Sequence, residues 1–348
     1  MPPTLTAPAD RRVRTRTRTR RRIAGLVVAL VLLAAVLALS VVVGSAMLPL
    51  DVVWQAFTAP DGSASHATIT RSRVDRTLLG LLVGAALGVA GALIQALTRN
   101  PLADPGVLGV NAGAAFAVAI GVAVLGITRI DQYLPLAFAG AVLAVVLVFA
   151  IAGGVRDAAS PVRLTLVGVA MAAVLTGVSQ TLALIDTDTF DRMRFWGAGT
   201  IADRPEGTVA AILPAILIGL VVAALCARPL NAIALGEDTA RAMGIRLGLT
   251  RLGVLVAVTL LCGAATAAAG PLVFVGLVVP HIVRWITGPN WPWILLYSAV
   301  LSPVLLLGAD IIGRFVVFPA ELQVGVVMPL IGAPVLVALV RRRRAAAL

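Results

Sequence analysis

The feature that most constrains this chain is a series of long runs that contain no charged residue. Crossing the hydrocarbon of a bilayer takes about 20 helical apolar residues, and runs of that order recur along the 348 residues. They read as Ile23–Met47, Thr77–Thr98, Val107–Ile127, Tyr133–Val155, Leu164–Ile185 and Val209–Ala227, then Leu252–Val283, Trp293–Ala309 and Val324–Val340. Only 13% of residues are charged, against about 25% in a soluble domain. The runs are rich in Ala, Val, Leu and Gly, and small residues let helices in lipid approach closely. The expected fold is an all-α polytopic membrane protein.

The stretch Leu252–Val283 is too long for one span and short for two. As one helix it would extend about 48 Å, against a core of about 30 Å. Gly270-Pro271 at its middle is a turn signal, because Pro cannot continue a helix. Charge decides the parity. Arginine is concentrated at Arg11–Arg22 and Arg341–Arg344, and both ends are expected in the cytoplasm by the positive-inside rule. An even number of spans follows, so the long stretch counts as two and the total is ten. That threading places 20 Arg and 5 Asp/Glu inside, and 8 Arg and 11 Asp/Glu outside. Ile23–Met47 is longer than the apolar core of a signal peptide and reads as an uncleaved first span. The expected division is a disordered basic tail at 1–22, a membrane domain at 23–340 with a cytoplasmic loop at 228–251, and a basic tail at 341–348.

The formal charge of +12 lies mainly at the ends, which suits anionic lipid and argues against nucleic acid. All 28 basic residues are Arg. A phosphate-binding P-loop needs a Lys, so ATP hydrolysis must come from another polypeptide. His66 and His281 are predicted on opposite sides of the membrane, so no catalytic residue and no metal cluster is expected. Cys226 and Cys262 lie in separate spans and read as packing residues. The spans are nearly free of ionisable groups, which weakens an ion-coupled secondary transporter. Asp310 and Arg284 fall at span ends and read as interfacial.

The cytoplasmic segment Ala234–Gly248, ALGEDTARAMGIRLG, carries the most information. Glu237 and Asp238 open a short helix after Gly236, and Arg241 and Arg246 follow, which suits the helix dipole. Leu235, Ala240, Ala242, Met243 and Ile245 are expected to leave apolar surface toward the cytoplasm. The segment is either a solvated loop or a docking helix for a partner.

Four stretches together resemble the FecCD family, the binding-protein-dependent ABC importer permeases for ferric siderophores, haem and cobalamin. They are Arg76–Gly113 with its RNPLADPG string, the GEDTAR segment, GPLVFVGLVVPHIVR at Gly270–Arg284, and Pro319–Arg344. The resemblance implies ten spans per subunit and a dimer with a second copy or a related permease. It also implies a cytoplasmic ABC ATPase dimer and an extracytoplasmic substrate-binding protein, in a bacterial cell membrane. ATP and Mg belong to the ATPase, and no cofactor is expected on this chain. By the same resemblance Gly236, Glu237, Asp238, Ala240, Arg241, Met243 and Gly244 couple to the ATPase. Arg73, Arg76 and Arg314 receive carboxylates of the delivery protein, for which Arg is chemically apt. The family usually has R-L-P-R where this chain has Arg73-Val74-Asp75-Arg76, which loosens the expected turn and sets Asp75 beside the arginines. The substrate path is expected along Thr176, Ser179 and Gln180, with Met193, Phe195 and Trp196 toward its outer mouth. Packing and an interfacial aromatic belt are the alternative reading for those residues. The cargo implied is a ferric siderophore, with haem or cobalamin as alternatives.

Overall fold

The computed structural model describes residues 8–44, 48–127, 129–153, 161–318 and 320–345. Among these the chain is helical between short loops, with no strand. In order the helices are α1 (Pro8–Val42), α2 (Leu50–Thr58), α3 (Ala64–Ala67), α4 (Val74–Thr98), α5 (Val110–Ala123), α6 (Ile130–Ile151) and α7 (Pro161–Ile185). There follow α8 (Thr187–Gly197), α9 (Thr208–Ala234), α10 (Glu237–Ala242), α11 (Leu247–Ala269), α12 (Val275–Thr287), α13 (Trp291–Val316) and α14 (Val324–Ala345). A π-helical stretch, Thr68–Arg73, joins α3 to α4 without a break. The absence of Pro from Arg73-Val74-Asp75-Arg76 thus yields a continuous helix at that point.

Among the described residues seven helices are long and apolar enough to cross a membrane. Shorter apolar helices at Val110–Ala123, Val275–Thr287 and Val324–Ala338 account for three further expected segments. The long stretch divides at Gly270 (φ +79°) and resumes after Phe274 (φ +70°). The basic N-terminal segment differs from expectation, since α1 begins at Pro8 and carries the arginines into a helix. Arg is a good helix former, and the helix propagates back from an apolar span. Residues 1–7 and 346–348 of the expected tails, and the expected boundary residues Met47 and Val155, lie outside the described residues.

The core is built on α4 and α11, each with 78% of its apolar window buried, whereas α7 has 17%. Helices α9, α11, α12 and α13 surround α4, and small residues let them come close. A Cβ at Gly84 would stand 2.6 Å from Pro303 Cα, and one at Gly276 would stand 2.7 Å from the Leu87 carbonyl oxygen. Lipid gives no hydrophobic drive for helix association, so this close packing does the work. The loop between α8 and α9 is knit into one end of the bundle. Thr200 N donates to Ala269 O at the end of α11 (2.7 Å), and Gly325 N donates to Gly199 O (2.9 Å).

Candidate functional site

At one end of the bundle the arginines expected to receive a delivery protein do come together, but they turn inward. The last carbonyls of a helix have no intrahelical donor, and those of α1 are met by two of these side chains. Arg73 Nη1 donates to Val41 O (3.1 Å) and Val42 O (2.6 Å), and Arg314 Nη1 donates to Ser40 O (2.7 Å) and Val43 O. Cations are favourable at a helix C-terminus. Asp310 then pairs with Arg314 (2.6 Å) and, through both oxygens, with Arg76 (2.8 Å on the nearer). Arg76 also reaches Glu321 (2.6 Å). Arg314 is 1% exposed and Arg73 5%. Asp310 is likewise buried, and its charge is compensated from within. Asp75 is exposed, so it does not compete for the cluster.

Arg76 opens onto two of three adjoining cavities of about 410, 250 and 160 Å³. The largest is lined by Arg76, Tyr133, Arg192, Trp196, Arg204 and Glu321, among others. Of its lining residues, sequence reasoning named Arg76, Phe195 and Trp196 as candidate site residues. The i, i+4 spacing of Asp310 and Arg314 was a signal for their pairing. Arg204 sits in the loop between α8 and α9, whose geometry no local pattern reveals. Met193 is partly buried against the core. Thr176 and Gln180 lie on the exposed face of α7, and Ser179 is buried, donating to Leu175 O (2.7 Å). The structure therefore does not gather the expected path residues in one place within this chain.

At the other end α10 is the short helix expected after Gly236, whose φ is +118°. Ala240 faces inward, fully buried with Ala232, Ile233 and Leu247, which corrects its expected exposure, and Ile245 packs partly against the same cluster. A helix of six residues needs an apolar seat to hold it, since short helices are not stable alone. Glu237 turns toward the body of the protein, where Oε1 accepts from Arg251 (2.8 Å) and Arg99 (3.3 Å). Arg241 pairs with Asp238 (2.9 Å). Leu235, Met243 and Leu249 remain exposed, and Gly244 (φ +79°) has open space beside it. Nearby, Arg284 donates to Gln95 Oε1 and lies 5.4 Å from the Trp291 ring centroid. His66 is buried near Asp61 and His281 lies in α12. Among the described residues no group of His, Cys, Asp and Glu could hold a metal ion.

A polytopic helical bundle with an ion-paired cavity at one end, and exposed apolar residues flanking a short loop helix at the other, suits a membrane transport permease. Residues 31–342 match the FecCD transport family, and the chain belongs to that family. It is 49% identical to the ferric enterobactin transport system permease protein FepD of Escherichia coli (strain K12), over 90% of this chain and 94% of that one. The Bacillus subtilis (strain 168) iron(3+)-hydroxamate import system permease protein FhuB is 40% identical, over 88% and 80% respectively. A solved metal-chelate type ABC transporter in an inward-facing conformation shares the fold, with a TM-score of 0.79 and 24% identity. It covers 91% of this chain and 98% of its own.

Removing the carboxylate between two buried arginines should cost far more than removing an exposed one. Asp310→Ala is expected to lower stability by about 3–5 kcal/mol, seen as a lower unfolding temperature in detergent. Asp75→Ala should stay within about 0.5 kcal/mol of the parent. Equal stabilities for the two variants would remove the cluster from any structural role.

Proposed function

We propose that this chain is the membrane-spanning permease subunit of a binding-protein-dependent ABC importer that moves a ferric siderophore into the cytoplasm. The observation that carries the reading is the family match together with 49% identity to a ferric enterobactin permease over nearly the whole chain. The relatives named above are iron systems, which favours an iron chelate over haem or cobalamin. The family is one of transport permeases, not of enzymes, so ATP and Mg act on a separate cytoplasmic ATPase dimer. The expected setting is a bacterial cell membrane, the inner membrane where there are two. An extracytoplasmic binding protein delivers the cargo.

On this reading the chain has ten spans with both termini cytoplasmic, which the arginine-rich ends support. The cluster of Arg73, Arg76 and Arg314 then belongs to the outer face. The burial of Arg73 and Arg314 suits a part in shaping that face, and Arg76, open to the cavities, is the one best placed to meet a delivery protein. The exposed face of α7, which carries Thr176 and Gln180 among apolar residues, supports a second permease, since polar side chains are satisfied better against protein than lipid. At the inner face the ATPase would meet Leu235, Asp238, Arg241, Met243 and Gly244, while Glu237 and Ala240 hold α10 on the bundle.

The reading is tested by purifying the chain with its ATPase and delivery protein in lipid vesicles. The delivery protein loaded with a ferric siderophore should stimulate ATP hydrolysis and uptake beyond its haem- or cobalamin-loaded form. Uptake that needs no ATPase and collapses with an ionophore would identify an ion-coupled carrier instead. For topology, single cysteines at Gly62 and Thr239 would be tested after Cys226 and Cys262 are replaced. An impermeant thiol reagent added outside should label the first and spare the second, and labelling at Thr239 would overturn the ten-span arrangement. For coupling, Met243→Asp should abolish stimulated hydrolysis and uptake together while the unfolding temperature holds. Ala240→Leu should instead lower stability by about 1–3 kcal/mol through overpacking. Preserved stimulation in Met243→Asp would take the apolar patch out of the ATPase contact.

A further inference from the structure

Helix α2 has three kinds of surface, where a helix packed on a bundle in water needs only two. At 3.6 residues per turn its side chains fall into three stripes. Val53 (7% exposed) and Ala56 (2%) turn inward. They cluster with the fully buried Ile69, and Val41, Val42, Leu48 and Val52 pack against them. Asp51, Gln55 and Thr58 form an exposed polar stripe. Leu50, Trp54 and Phe57, at i, i+4 and i+7, form the third, and they are 69%, 71% and 56% exposed. This apolar stripe lies roughly 90° from the buried one and roughly 105° from the polar one. Single exposed apolar residues are ordinary, whereas three large ones in register make a contiguous patch.

The depth of α2 follows from α1. Only 11% of the apolar window of α1 is buried, so most of that span faces lipid, and Leu39 near its end is 50% exposed. From Ile23, after the last arginine, to Val42 the helix runs about 30 Å, the thickness of the hydrocarbon core. Its last turn therefore stands at the boundary of acyl chains and headgroups. Helix α2 rests on that turn through Val41 and Val42. With the bundle on one flank and a polar stripe for water, the remaining side of α2 continues the lipid-facing surface of α1. Trp, Phe and Leu on one face of an amphipathic helix suit this boundary. A delivery protein fits the stripe less well. Its docking is read above through arginines, and the one charge on α2, Asp51, lies on the polar stripe.

We propose that α2 is an interfacial helix whose Leu50–Trp54–Phe57 stripe lies in the headgroup–acyl boundary of the leaflet at this end of the bundle. Its Asp51–Gln55–Thr58 stripe faces water. On the ten-span reading this is the outer leaflet, and only that choice of leaflet rests on the proposed function. The contact reaches the arginine cluster directly. Val41 and Val42 turn their side chains to α2 and their carbonyls to Arg73. Ile69, packed against α2, precedes Arg73 by about one turn of the same π-helical stretch. The membrane surface, acting through α2, thus sets the height at which Arg73, Arg76 and Arg314 stand.

The test uses the full chain in lipid nanodiscs, with Cys226 and Cys262 replaced and one nitroxide-labelled cysteine at a time. Leu50→Cys, Trp54→Cys and Phe57→Cys sample the apolar stripe, and Asp51→Cys, Gln55→Cys and Thr58→Cys the polar one. Oxygen concentrates among acyl chains and a chelated nickel complex in water, so the ratio of their collisions with the nitroxide reads its surroundings. That ratio should be higher at every position of the apolar stripe than at any position of the polar one. A second measurement needs no label. Phospholipids brominated high on the acyl chain should quench the parent's tryptophan emission, and Trp54→Phe should lose part of that quenching. The proposal is overturned if nickel collisions dominate at Trp54→Cys and Phe57→Cys, or if Trp54→Phe is quenched as fully as the parent. It is also overturned if nickel reaches those two positions and is excluded only when the delivery protein binds, which would make the stripe a docking surface. Failure of the importer reading is separate, and would appear as no ATP-driven uptake with the accessibility pattern intact.

Discussion

Asp310 sits between two arginines at one end of the bundle, and the meeting of three helices depends on it. Arg314 belongs to the same helix, Arg76 to α4, and Arg314 reaches on to the end of α1. Burying a carboxylate is costly unless nearby cations and hydrogen bonds compensate it. Here two guanidinium groups do so, and their excess charge is met by Glu321 and by the carbonyls that end α1. The result is a fixed corner. It sets the position of Arg76, and with it one wall of the adjoining cavity.

The other end of α4 is tied in the same currency but more loosely. Arg99 caps α4 in a left-handed conformation and reaches Glu237 at 3.3 Å, with 53% of its side chain exposed. A pair this exposed contributes little to stability. Arg251 holds the same carboxylate at 2.8 Å and is mostly buried, so this ion pair ties α10 to α11, while Ala240 seats it on α9. Roughly 34 Å of helix separates Arg76 from Arg99, and glycine-lined packing against α12 and α13 makes that helix the stiffest path between the two ends.

Much of the fold was legible because its signals are local. Uncharged length marks a span, and Gly270-Pro271 marks the break between α11 and α12. The site was legible in composition but not in orientation. An arginine at a span end looks the same in sequence whether its carboxylate is 234 positions away in the same chain, as Asp310 is from Arg76, or on another protein. The direction of Ala240 was hidden for a different reason. Six residues are too few for a helical period to show which face is apolar, so its seat against Ala232, Ile233 and Leu247 emerges only in three dimensions. Arg204 gave no signal at all, because loop carbonyls hold it, and these carry no sequence identity.

Rigidity is unevenly distributed, and the distribution bears on which parts can move during transport. Opening the cavity beside Arg76 by parting α4 from α13 would separate Arg76 from Asp310, and breaking such a buried pair costs about 3–5 kcal/mol. Elsewhere, α8 is held to the core through buried Trp196, but it follows α7, the least buried of the long helices after α1. At their junction Leu184 and Ile185 are 84% and 79% exposed, so little packing opposes a shift there. The cavity thus has one wall locked by charge and another borne on a helix pair that is loosely packed at its junction. A motion that widened it would carry Trp196 and Phe195 while leaving Arg76 in place, and the polar face of α7 with Thr176 and Gln180 would move with them. A partner seated on α7 would then set how far the cavity opens.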